Sequence, residues 1–93
     1  MTSVEIRRVE TNKKQYLALL LLADEQEDMI DRYLERGSMY VLEDDGVKAE
    51  CVVTDEGGGV LELKNIAVEP DFQGKGYGKA LVDFLIRAYA GQY

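Results

Sequence analysis

The 93-residue chain is 46% hydrophobic and 31% charged, a composition that excludes a disordered polymer and a membrane-embedded bundle and suits one small domain near the lower size limit for a self-sufficient core. A formal net charge of −7 weighs against nucleic acid and anionic lipid as partners, because both need a basic footprint; it is compatible with a cationic substrate, although an acidic surface also simply favours solubility. With no histidine and a single cysteine, the chain has no histidine triad, none of the usual zinc sites and no internal disulfide, which leaves proton transfer to carboxylate, tyrosine, lysine, terminal amine or water.

The longest apolar run, Tyr16 to Ala23, is far short of the roughly 18 residues needed to span a bilayer. No basic and apolar leader precedes it, so the expectation is a cytoplasmic protein with one domain over residues 1–93. No metal site is expected.

In chain order, Val4 to Val9 begins with apolar and charged residues in alternation and predicts a half-buried first strand. Thr11 or Asn12 is positioned to cap a leucine-rich first helix carrying Tyr16, Leu17 and Leu19 to Leu22. Asp24 is the expected cap of a second helix, with an acidic first turn, an apolar stripe of Met29, Ile30, Tyr33 and Leu34, and Arg36-Gly37 at its end. Ser38 to Leu42 reads as a strand and Asp44-Asp45-Gly46 as a hairpin turn. In the next strand Val47, Ala49, Cys51 and Val53 alternate with Lys48, Glu50, Val52 and Thr54, so Cys51 reads as a buried structural thiol rather than a nucleophile. Gly57-Gly58-Gly59 predicts a loose turn.

The fourth strand carries an irregularity. Leu61 and Leu63 occupy one phase of a period of two, whereas Ile66 and Val68 occupy the other, so the apolar face slips by one residue around Lys64-Asn65. A β-bulge would repair the slip and leave backbone groups for a ligand; a strand buried on both faces is the alternative. Beyond it, the only proline in the chain, Pro70, leads into Gln73-Gly74-Lys75-Gly76-Tyr77-Gly78-Lys79 and then a helix whose apolar positions are Ala80, Leu81, Phe84, Leu85, Ala88 and Tyr89. Free N–H groups and the positive dipole end of that helix, glycines that admit close approach, and Lys75 and Lys79 together describe an anion cradle.

The spacing discriminates among cradles. Ala80 follows Gly78-Lys79 where a Walker loop requires Ser or Thr, and neither Gly74 nor Gly76 starts a dinucleotide fingerprint. Gln73, Gly76 and Gly78 do fit Gln-x-x-Gly-x-Gly/Ala, preceded by Ile66-Ala67-Val68-Glu69-Pro70. This pattern resembles the acetyl-CoA-binding motif of the GNAT N-acetyltransferase superfamily. The likeness covers the chain in element order and is sharpest from Leu61 to Leu85.

The resemblance implies an α+β fold of three layers: a mostly antiparallel four-stranded sheet flanked by three helices, in the order β-α-α-β-β-β-α. It implies acetyl transfer from acetyl-CoA to the primary amine of a small molecule or peptide. Gln73, Gly74, Lys75, Gly76, Tyr77, Gly78 and Lys79 would then hold the pyrophosphate, mainly through main-chain N–H groups, and Ile66, Ala67 and Val68 would bind the pantetheine arm through backbone atoms. Glu62 stands where several members carry a general base, and it reads equally as a solvated carboxylate paired with Lys48 or Lys64. The chain departs from the family pattern in lacking a fifth strand and a fourth helix, so it looks like the N-terminal part of such a domain, and no tyrosine is assigned as general acid. The fourth strand would then be an exposed edge inviting self-association. A non-catalytic CoA-binding or oligomerising module is the competing reading, with a phosphate-binding nucleotide domain behind it.

Overall fold

The computed structural model describes residues 4–92. Four strands, β1 (Glu5–Val9), β2 (Ser38–Glu43), β3 (Val47–Gly57) and β4 (Val60–Val68), form one antiparallel sheet in the order β1-β2-β3-β4. Helices α1 (Leu17–Ala23) and α2 (Glu27–Asp31) join β1 to β2, and α3 (Tyr77–Ala88) follows β4. This is the expected element order. Leu20 of α1 and Ile30 of α2 pack with Met39, Val41 and Val52 on one face of the sheet. Leu81 and Leu85 of α3 pack with Leu42, Ala49, Cys51 and Val53 on the other.

α1 and α2 are too short to be stable by propensity, so tertiary contacts hold them. Neither expected cap has formed: Asn12 adopts a left-handed conformation (φ 51°) ahead of a 3-10 turn at Lys13–Tyr16, and the residue preceding α2 is Gln26. Asp24 instead accepts from the Tyr33 hydroxyl at 3.2 Å. Of the predicted α2 stripe, Ile30, Tyr33 and Leu34 are buried and Met29 is exposed. The buried Lys13 ammonium donates to the carbonyls of Leu34, Glu35 and Gly37 at 2.9, 3.3 and 2.7 Å, closing the chain just after α2. Gly37 is required there, because a Cβ would stand 2.8 Å from Val52 Cγ1 and 2.9 Å from the Tyr33 carbonyl oxygen.

Of three register shifts in the described sheet, two set the faces of its central part. Leu42 pairs with Ala49 but Glu43 with Val47, so Lys48 is the additional residue and Val47 turns to the α1–α2 side, away from Ala49, Cys51 and Val53. In β4, Asn65 pairs with Val52 and Leu63 with Val53, which makes Lys64 the additional residue. This is the slip that the apolar pattern predicts. Leu61 and Leu63 before the bulge, and Ile66 and Val68 after it, all lie on the α3 side. Cys51 is buried as expected, and burial, reinforced by Glu50, pushes its thiol up to about 12.

Candidate functional site

The site lies where β4 hands the chain to α3. β4 has a strand neighbour on one side only among the described residues. Glu69 N–H donates to the Lys48 carbonyl at 2.8 Å, and in the antiparallel register Ala67 pairs with Glu50 in the same sense. The alternation then points the peptide groups of Ile66 and Val68 away from β3, toward the free edge. Ala67 turns its own peptide groups to β3 and presents its side chain on the α1 side.

After Val68, a 3-10 turn at Pro70–Phe72 folds the chain back, and the Gln73 amide anchors it by donating to the Val68 carbonyl at 3.2 Å. Gly74 and Gly76 then adopt φ of +83° and +86°, a region L side chains rarely enter, with open space where a Cβ would be. α3 starts at Tyr77, with Gly76 as its first flanking residue. Gly78 sits in the opening turn of the helix, where a Cβ would stand 3.6 Å from Val68 Cγ2. Among the described hydrogen bonds, no peptide N–H from Gly76 to Lys79 donates to a protein acceptor, and the next one along, Ala80, donates to the Gly76 carbonyl at 2.9 Å. The run of free donors at a helix N-terminus is the electrostatic signature of an anion site.

A recess of about 300 Å³ adjoins these donors, lined by Leu22, Ile66, Ala67, Val68, Gln73 and Gly78. Five of these six are sequence-predicted site residues; Leu22 of α1 is an added wall. Tyr77 faces away from the recess and donates to Asp44 in the β2–β3 turn, a bond that raises its pKa and ties the helix start to the sheet. The Lys75 and Lys48 ammonium groups lie 5.7 and 4.4 Å from the centre of the Phe72 ring, and Lys79 pairs with Asp83 at 2.9 Å. The lysines thus supply positive charge around the loop while remaining hydrated.

Glu62 lies before the bulge, outside the lining of the recess. It is half exposed, opposite Thr54, and its carboxylate meets Lys64 Nζ at 3.1 Å. A different carboxylate is perturbed. Glu50 on β3 is fully buried without a hydrogen-bond partner for either oxygen, and burial pushes its pKa up to about 8. The only sequence signal for it is a lone acidic residue inside a strand rich in small apolar side chains. Among the described residues, no group of three His, Cys, Asp or Glu is placed to hold a metal ion, and no helix is long and apolar enough to cross a membrane.

A family profile described as "Acetyltransferase (GNAT) domain" matches residues 35–93. The chain is 43% identical over 74 residues to the uncharacterized N-acetyltransferase YvbK of Bacillus subtilis, covering 78% of this chain and 47% of that protein. The structure of an IAA acetyltransferase from Bacillus cereus superposes with a TM-score of 0.84 at 38% identity, over 96% of this chain and 59% of that one. A GNAT family acetyltransferase from Elizabethkingia anophelis with acetyl-CoA bound superposes at 0.87 with 29% identity, again over 96% and 59%. The chain thus spans about half to three-fifths of the length of these relatives.

Proposed function

This chain belongs to the GNAT acetyltransferase family, and from that membership we propose that residues 1–93 form the acetyl-CoA-binding part of an N-acetyltransferase acting on a primary amine, in the cytoplasm. The observation that carries the reading is the run of free peptide N–H groups from Gly76 to Lys79 at the start of α3, next to a recess walled by the end of β4. The residues present fit the cofactor: Gly74 and Gly76 leave the backbone open to close approach, and Gly78 keeps the opening turn of α3 free of a side chain beside the recess. Bound acetyl-CoA supplies an activated thioester acyl group.

In this reading, Gln73, Gly74, Lys75, Gly76, Tyr77, Gly78 and Lys79 hold the pyrophosphate through their amides. Ile66 offers its outward peptide groups and Val68 its outward N–H to the pantetheine arm, and Ala67 lines the recess. Glu62 takes the proton that the acceptor ammonium must lose before attack, with Lys64 holding its carboxylate in place. The acceptor is the amine of a small molecule or peptide.

One observation favours a second reading, a CoA-binding or oligomerising module without activity. An apolar groove of about 410 Å³, walled by Leu61, Leu63, Val82 and Ile86, runs beside the free edge of β4, and a second copy would cover it. Calorimetric titration with CoA tests the shared premise. Saturable binding that is lost when Gly76 is replaced by Asp supports it; heats no larger than those of dilution at millimolar CoA would overturn it. Acetyl transfer to a panel of amines, abolished by Glu62→Gln with CoA affinity retained, selects the enzyme. Binding without turnover, together with a dimer in sedimentation, selects the module.

A further inference from the structure

Under α1, on the face of the sheet opposite α3, three buried side-chain oxygens have no hydrogen-bond partner: Glu50 Oε1, Glu50 Oε2 and Asn65 Oδ1. Glu50 is 0% and Asn65 3% exposed. Glu50 pairs with Ala67 and Asn65 with Val52, so the two side chains are diagonal neighbours on one face, within reach of each other. With Glu50 ionised, all three oxygens would be buried acceptors without a donor. An unpaired carboxylate in such a place is strongly disfavoured, whereas the carboxylic acid has one O–H to give.

The other end of Asn65 is fully engaged. Its amide donates to the Leu20 carbonyl of α1 at 3.1 Å and to the Tyr33 hydroxyl at 3.0 Å, and that hydroxyl donates on to Asp24. Reversing the amide would set its oxygen against the Leu20 carbonyl, so the orientation of Asn65 decides whether α1 stays tied to β4. Two residues beyond Leu20, Leu22 walls the recess assigned to CoA.

We propose that Glu50 keeps its proton in the working protein and donates it to Asn65 Oδ1, so that Glu50 and Asn65 act as a positioning pair that holds α1, and with it Leu22, against the bulged end of β4. The functional half of this proposal rests on the CoA reading above; the hydrogen bond does not. Tyr33 faces the pair from the segment after α2, with Asp24 beyond it; Cys51 adjoins Glu50 on β3 but faces α3; on β4, Lys64 pairs with Glu62. These neighbours provide no cation committed to Glu50, and burial is the sole named cause of its raised pKa.

Infrared difference spectra of the full chain test the proton directly. The expected result is a protonated-carboxyl C=O band at neutral pH that bleaches as pH passes about 8, is absent in Glu50→Gln, and moves to higher frequency in Asn65→Leu as its hydrogen bond is lost. CoA titration tests the consequence: a protein competent only when protonated weakens about tenfold between pH 7 and pH 9. Glu50→Gln, which keeps a donor toward Asn65 but cannot ionise, should change less than about twofold over the same range. A wild-type spectrum without the band at pH 7, a band indifferent to Asn65→Leu, or an equal alkaline loss of affinity in Glu50→Gln would overturn the proposal. Failure of CoA to bind at any pH would sink the CoA reading, while the band and its shift would still decide the Glu50–Asn65 bond.

Discussion

On the α3 face of the sheet the buried residues are almost all apolar, and the main polar contact is the Tyr40–Tyr89 hydroxyl pair at 2.7 Å, where burial and then the Tyr89 contact raise the Tyr40 pKa. On the α1–α2 face the core contains Lys13, Glu50, Thr54 and Asn65 among its buried side chains. The contrast follows from the helices. α3 is a 12-residue amphipathic helix that buries a regular stripe, whereas α1 and α2 are 7 and 5 residues long and are fastened by side-chain bonds, from Asn65 to the Leu20 carbonyl of α1 and from Lys13 to carbonyls of the segment after α2. One face is held by area removed from water; the other depends on directional bonds that fail individually.

Substitutions should separate the two faces. Leu81→Ala opens a cavity on the α3 face and is expected to cost about 2–5 kcal/mol in chemical denaturation, the largest single effect. A loss under 1 kcal/mol would mean that the α3 face can collapse around the gap.

The opposite face should instead respond to pH. Glu50 holds its proton up to about 8 in the folded chain against an ordinary value of 4.5. The folded state therefore binds more protons than the unfolded state across that window, and stability falls as pH rises through it, then levels off above the folded pKa. A Glu50→Gln variant should lack this component. The difference between wild type and variant should change by roughly 4 kcal/mol from pH 5 to pH 8.5, and a constant difference would contradict the burial of an unpaired carboxyl.

Lys13→Met removes the donor from three carbonyls after α2 and should cost about 2 kcal/mol. Amide exchange should localise the loss to residues 26–37 and leave α3 protected. Tyr40→Phe, which breaks the one hydroxyl pair on the α3 side, should cost only about 1 kcal/mol in thermal or chemical melts. A larger loss than that of Lys13→Met would erase the distinction between the faces.

Legibility in the sequence divides along the same line. The amphipathic period of α3 and the out-of-phase leucines of β4 place a helix, and a bulge at Lys64, without reference to anything distant. Gln73 to Lys79 likewise announce a glycine loop that opens a helix, since φ preference and helix-end donors are local properties. The buried roles of Lys13, Glu50 and Asn65 gave no comparable signal. Alternation along β3 says that Glu50 shares a face with Val52 and Thr54; it is silent on whether a helix covers that face. The turn of Val47 to the α1–α2 side similarly depends on a bulge opposite Glu43, created by pairing between strands.

The sequence alone determined the element order, the glycine-rich junction between β4 and α3, and the family to which the chain belongs, because each rests on the preferences of neighbouring residues. Only the tertiary structure decided which polar side chains were stripped of water. That depends on how α1 and α2 lie across the sheet, and a carboxyl or ammonium group acquires its cost, its proton and its partner from what is packed over it.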